Sequence, residues 1–328
     1  MSLFPDGPER VRAMGYFGFV MAGGGSVGVL LGGVLTDALD WRWIFLVNLP
    51  IGAAVFFLSL RLLPEGRSEG ASRQLDIAGA VTITASLLLA VYAVVNGEEA
   101  GWLSQPTLGL VGGAVVLLLA FLAIEARVKS PLVPLGLFRL RNISVSNIIA
   151  VLWAAAMFAW FFLSALYMQL VLGYGPMQVG LAFLPANLIM GAFSYSLSAK
   201  LVNRFGIRRP LAAGLGCAAA GLLLFALAPA DGSFITHVLP AMLLLGVGAG
   251  MAFNPLLLAS MSDVEPSESG LASGIVNTSF MMGGSLGLAV LASLAAGRTK
   301  EWLAQGASGA EALTAGYSLA FLIGATCA

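Results

Sequence analysis

A chain of 328 residues with 59% hydrophobic and 10% charged side chains cannot cover a soluble surface, which takes about a quarter charged residues. Sixteen basic and sixteen acidic residues cancel to zero net charge, so there is no basic patch for nucleic acid and no acidic tail. The two cysteines, Cys217 and Cys327, make no disulfide framework, and the mean hydropathy of +0.94 makes lipid the solvent for most of the chain.

Ten apolar windows follow in chain order, near 13–36, 43–63, 75–95, 107–126, 143–166, 177–199, 210–229, 235–258, 270–296 and 313–328. Each approaches the roughly 20 residues that a helix needs to cross a hydrocarbon core. They are continuously apolar rather than alternating, which excludes barrel strands. The fold class is therefore an all-α polytopic membrane protein of about ten transmembrane helices. The last window, at sixteen residues, is at the short limit for a span. The opening MSLFPDGPER has no basic stretch ahead of its apolar run and is no signal peptide.

With residues 1–12 placed on one side, that side collects 13 of the 16 lysines and arginines, and only Arg42, Arg298 and Lys300 fall on the other. The positive-inside rule makes the first side cytoplasmic. Both ends of the chain are then cytoplasmic, in a bacterial inner or plasma membrane. The inner loop 127–142, with Pro131 and Pro134, is the best internal boundary and reads as a connector along the cytoplasmic face.

Glycine is patterned. Gly24, Gly28 and Gly32 recur every four residues, followed by Gly33; Gly246/Gly250 and Gly283/Gly287 repeat the spacing. Any one such pair is ordinarily small-residue packing between helices. The longer stripe in the first window suggests a helix that slides or seals against another.

These glycines, in GGSVGVLLGG at 24–33, resemble the antiporter motif of the major facilitator superfamily. The stretch TDALDWRWIFLVNLPIG at 36–52 resembles the link between helices five and six of the fourteen-helix drug:proton antiporters, the EmrB/QacA type. Trp41, Arg42, Trp43, Phe45, Asn48, Pro50 and Gly52 fall at that family's positions. AKLVNRFGIRRPL at 199–211 is similar to its cytoplasmic loop motif, where Arg204, Gly206, Arg208 and Arg209 would form a gating loop. Residues 167–185 and 269–287 are similar to its outer turn and thirteenth helix. Val29, Asn203 and Phe280 depart from the common proline, aspartate and arginine.

The resemblance implies a partial major facilitator fold. Residues 1–63 would be the end of an N-terminal bundle, helices five and six. Residues 64–126 would carry two linker helices, 127–142 the connector, and 143–328 a C-terminal six-helix bundle with its last helix cut short. Residue 1 would fall before helix five, so the chain is expected to be truncated at its N-terminus. The implied function is proton-coupled multidrug efflux of small lipophilic or cationic compounds by alternating access, with a monomer expected at full length. The alternative is a non-transporting remnant or regulatory half-protein.

Asn147, Asn187, Asn254 and Asn277 lie inside windows and need hydrogen bonds or a wet cavity. With Trp153 and Trp160 they are the candidates for a substrate cavity with aromatic walls, while interhelical bonding is the ordinary role for such asparagines. Phe158 and Phe161 add to the walls. Every aspartate and glutamate lies at or beyond a window's end, so coupling residues are expected on helices outside this sequence. His237, at the outer start of a window, reads as an interfacial cap. GGSVG and GGSLG fit the serine-hydrolase string but lie inside apolar helices. No cofactor, metal site or catalysis is expected; the partners are a small-molecule substrate, protons and the lipid bilayer.

Overall fold

A computed structural model describes Gly24, Val27, Gly28 and residues 30–62, 76–128, 131–261 and 269–328. The front of the first window, Arg10, Arg12, Val29, Arg67, Arg73, Lys129, Asp263, Glu265 and Glu268 lie outside the described residues. The helices are α1 (residues 30–38), α2 (Trp43–Leu46), α3 (Asn48–Leu62), α4 (Ile77–Ala100), α5 (Gln105–Glu125) and α6 (Arg141–Leu166). They continue with α7 (Pro176–Ala192), α8 (Ser198–Phe205), α9 (Arg208–Ala226), α10 (Leu239–Met261), α11 (Ser269–Ala304) and α12 (Gly309–Cys327). Among the described residues, nine helical stretches are long and apolar enough to cross a membrane, and they coincide with the last nine windows.

Helix starts follow local chemistry. Asp76 accepts a 2.8 Å bond from the Gly79 amide at the start of α4, and Ser104 caps α5 ahead of Pro106. Ser308 and Glu311 form a capping box that starts α12 at Gly309. That helix has 19 residues, so the short last span expected from hydropathy is corrected. The capping box recruits polar residues that a hydropathy window discards. Between α2 and α3 the helix breaks at Val47: Pro50 has no N–H for the Leu46 carbonyl, and Asn48 Nδ2 donates to Ile44 O at 2.9 Å.

Helix α6 is the axis of the fold, packing against α10, α11 and α12, while α10 packs on α7 and α9. The helices pair as an α4–α5 hairpin, joined by a 2.8 Å bond from Ser86 Oγ to Ala114 O, and α4 leans on α11. Glycine makes the closest approaches. A Cβ on Gly283 would stand 2.5 Å from Val151 Cα, and one on Gly287 would collide with Ala155, which joins α11 to α6. Gly246 and Gly250 face Ala186 and Met190 of α7 in the same way; Gly214, Gly221 and Gly248 bring α9 and α10 together. Small residues let backbones approach where lipid supplies no hydrophobic drive. Helix α3 buries none of its residues and presents an apolar surface outward.

Among the described residues, three single π turns adjoin the helices, at Tyr167–Val171, Phe193–Leu197 and Phe234–Val238. Each shifts the side-chain register of the helix it joins. The first lets Tyr167 Oη donate to Pro229 O at 2.6 Å, closing the α9–α10 turn onto the end of α6.

Candidate functional site

Trp153 and Trp160 are seven residues apart on α6 and so share one face of it. Trp153 packs against Phe253 of α10, with ring centroids 6.0 Å apart, and against Phe280 of α11 at 5.5 Å. Phe253 and Phe280 meet edge to face at 5.9 Å, and Phe158 of α6 closes on Phe280 at 6.1 Å. Three helices thus converge on one aromatic node. About two helical turns along α6, Trp160 lies 4.3 Å from Phe161 and 6.1 Å from Phe183 of α7, while Phe161 and Phe183 stack at 5.5 Å.

Both tryptophans are fully buried, and neither indole N–H has a hydrogen-bond partner among the described residues. A buried donor without a partner is uncommon and costs stability. Each is therefore an unpaired donor held inside an aromatic cluster. Phe280 keeps the node apolar. An arginine at this position would place a cation among these rings.

The four candidate asparagines divide. Asn147 is buried on α6, donates to Ile143 O at 2.8 Å and accepts from Ser279 Oγ of α11 at 2.6 Å. Asn254 donates to Ser194 O at 3.0 Å and to Ser194 Oγ at 3.2 Å, which fastens α10 to the π turn after α7. Asn187 is buried in α7, and Asn277 is exposed on α11. Ser279 and Asn254 each adjoin a phenylalanine of the node, so the structure brings the Asn147 and Asn254 bonds to its border.

The glycines of the first window separate too. Among the described residues Gly24, Gly28 and Gly32 meet nothing within 4 Å, whereas a Cβ on Gly33 would stand 2.8 Å from Pro176 O at the start of α7. After α1, Asp40 organises the link: Arg42 Nη1 pairs with Asp40 Oδ2 at 2.8 Å, and the Arg42 guanidinium lies 4.9 Å over the Trp41 ring. Trp41 packs edge-on against Phe45, while Trp43 and Pro50 are exposed. Between α8 and α9, Gly206 has φ +75°, a conformation that favours glycine, and its N–H reaches Val202 O at 2.8 Å. Arg204 lies 5.3 Å over Phe205, and Arg204, Arg208 and Arg209 are exposed with no ion pair among the described residues.

Phe253, Ser279 and the burial of Glu125 were missed from sequence, whereas His237 was read as a cap. Phe253 and Ser279 complete the node and its border, and only their adjacency to Asn254 and Phe280 hints at it. Glu125, at the last position of α5, is 4% exposed; Oε1 accepts from Val133 N at 3.3 Å, and Oε2 has no partner among the described residues. His237 Nδ1 accepts from Ser233 N at 3.1 Å, capping the π turn ahead of α10.

Comparison with known sequences complements this geometry. The family model for the Major Facilitator Superfamily matches residues 1–288. The chain is 36% identical over 305 residues to the puromycin resistance protein pur8 of Streptomyces alboniger, covering 92% of this chain and 60% of that protein. It is 39% identical over 292 residues to the cephamycin export protein CmcT of Amycolatopsis lactamdurans, covering 88% and 60%. The multidrug resistance protein Stp of Mycobacterium tuberculosis is 34% identical over 295 residues, covering 89% and 54%. The chain therefore spans 60% or less of the length of these curated relatives.

Proposed function

The chain belongs to the Major Facilitator Superfamily, and on that premise we propose that it is a membrane transporter of the drug-efflux kind. Its substrates would be small lipophilic or cationic compounds, moved by alternating access between helical bundles. One observation carries the reading: along about nine-tenths of its length the chain is similar to proteins named for antibiotic resistance and export. The family and these relatives point to transport rather than catalysis.

Within that reading, residues 143–328 are the C-terminal six-helix bundle, 64–126 the two linker helices and 1–63 part of the N-terminal bundle. Trp153 and its phenylalanines form a substrate wall, and the Trp153 indole offers a hydrogen bond to substrates that carry an acceptor. Gly33 belongs to a seam between α1 and α7 that opens and closes in the cycle. Exposed Arg204, Arg208 and Arg209, around the Gly206 turn, hold the cytoplasmic ends of neighbouring helices in one state. The charge bias supports a cytoplasmic position for that loop and a place in the cell membrane.

Among the described residues no aspartate, glutamate, lysine or arginine lies mid-span. The proposal thus gives this chain the substrate path, with the proton step resting elsewhere in a complete transporter. The test is flux of ethidium, a flat lipophilic cation, in liposomes containing the purified chain. Equilibration faster than in protein-free liposomes is the expected outcome, without accumulation when a pH gradient is imposed. Flux no faster than the blank overturns the transport reading, and gradient-driven accumulation overturns the assignment of coupling.

A further inference from the structure

Two cavities lie side by side at one end of the bundle. One, of about 440 Å³, runs between the end of α11 and α12, from Glu311 to Leu322. The other, of about 540 Å³, lies on the neighbouring flank of α11, where Trp102 of the α4–α5 turn stands near Gly297. Arg298 and Leu319 line both, so the two form one double groove astride Arg298. Ala230, just past the far end of α9, borders the first. The groove is thus at the opposite end of the bundle from Gly206, which precedes α9.

The rim is charged and balanced. Arg298 and Lys300 supply two cations, Glu301 and Glu311 two carboxylates. Arg298 pairs with Glu301 at 2.9 Å and lies 5.7 Å over the Trp302 ring. Four of its five N–H donors remain beyond that one bond, and each carboxylate keeps acceptor capacity beyond its present bonds. Below the rim the walls turn apolar, with Leu294 and Leu322 exposed. From Glu311 to Leu322 the groove follows about 16 Å of helix. Trp102 and Trp302 flank the level where charge gives way to apolar surface, the depth at which tryptophan marks the headgroup region of a bilayer.

We propose that this double groove is a binding site for a two-chain phospholipid with a zwitterionic primary-amine headgroup, a phosphatidylethanolamine. The phosphodiester rests on Arg298 and Lys300, the ammonium on the carboxylates of Glu301 and Glu311, and one acyl chain occupies each cavity. Equal numbers of cations and carboxylates select a zwitterion over an anionic lipid, whose net charge the two glutamates repel. A primary ammonium donates three hydrogen bonds to those carboxylates, which a quaternary amine cannot do. Two grooves meeting at one charged rim match one headgroup bearing two chains. This site stands apart from the aromatic node and does not depend on the transport reading.

The test is native mass spectrometry of the full chain in a mild detergent, with phosphatidylethanolamine, phosphatidylcholine and phosphatidylglycerol of matched acyl chains. Phosphatidylethanolamine is expected to be retained about fivefold over either competitor, the scale of an exposed charge interaction. Arg298→Ala should lower that retention by a similar factor. Glu311→Gln keeps the capping box and should erase the preference over phosphatidylcholine. Leu319→Trp, which fills the shared wall, should lower retention of all three lipids. Equal or greater retention of either competitor, no retained phospholipid, or retention unmoved by both Arg298→Ala and Leu319→Trp overturns the proposal.

Discussion

Asn147 and Ser279 stand 132 residues apart in the chain and 2.6 Å apart in space, with the serine hydroxyl donating to the amide oxygen. The bond crosses from α6 to α11 on the border of the aromatic node. Interhelical bonds of this sort contribute about 0.6–2 kcal/mol in membrane proteins. Asn147→Ala and Ser279→Ala are expected to lower thermal stability in detergent by similar amounts. The double variant should lose less than the sum of the two, since both singles remove one bond. Additive losses would show that the two side chains act independently.

The α6–α11 seam makes a sharper contrast within one helix. Gly283→Val forces a branched side chain against the Val151 backbone and should cost about 1–3 kcal/mol or more. Gly274 of α11 meets nothing within 4 Å among the described residues, so Gly274→Ala should be neutral or stabilising by up to about 1 kcal/mol. Denaturation midpoints of the two variants, each against the parent chain, decide the matter; equal behaviour would remove the seam.

Trp153→Phe keeps an aromatic ring beside Phe253 and Phe280 while removing the indole donor. Folding should tolerate it, with no donor left buried and unbonded. Binding of substrates that carry an acceptor should fall by about tenfold, the loss of a hydrogen bond of roughly 1.4 kcal/mol. Purely apolar substrates should bind as before. Trp153→Ala, by contrast, opens a cavity costing about 3–5 kcal/mol. Tryptophan-fluorescence titrations cannot read out a removed tryptophan, so the affinities call for equilibrium dialysis with labelled ligands.

Gly33 and Gly28 belong to the same glycine-rich segment but differ in surroundings. Gly33 meets the start of α7, and Gly28 meets nothing within 4 Å among the described residues. Gly33→Leu should wedge α1 away from α7 and slow ethidium flux by about tenfold or more, a penalty of 1.4 kcal/mol or above. Gly28→Leu should change that flux less than twofold. A reversed order would move the seam to the four-residue stripe.

The spans were legible because lipid imposes a simple rule: nearly every residue of a crossing helix is apolar. The window 43–63 became Trp43–Leu62 and 107–126 became Gln105–Glu125. Glycine spacing was legible for the same reason, and Gly283/Gly287 and Gly246/Gly250 both mark close backbone contacts. The π turns were not, because they answer tertiary demands such as the Ser194–Asn254 bond. Hydropathy placed Asn147, Asn187, Asn254 and Asn277 inside spans without saying which would meet a partner. The partners lie 60 and 132 residues away for Asn254 and Asn147, beyond any local pattern. Glu125 read as an ordinary helix-end acid, since its burial depends on how the connector folds over it at Val133.

Helix α11 is 36 residues long, about 54 Å of axis against a hydrocarbon core of about 30 Å. Its tight seat on α6 at Gly283 and Gly287 is near its middle, and α12 is clasped to the outer arm where Gly316 meets Ala295 and Thr299, so arm and α12 together form a lever on that seat. Trp302 stands about 25 Å beyond it along the axis. A rock of only about 10° at the seat sweeps that indole through about 4 Å at the opposite end of the arm. Small adjustments among the rings around Trp153 and Phe280 are thereby magnified where α11 reaches the membrane boundary.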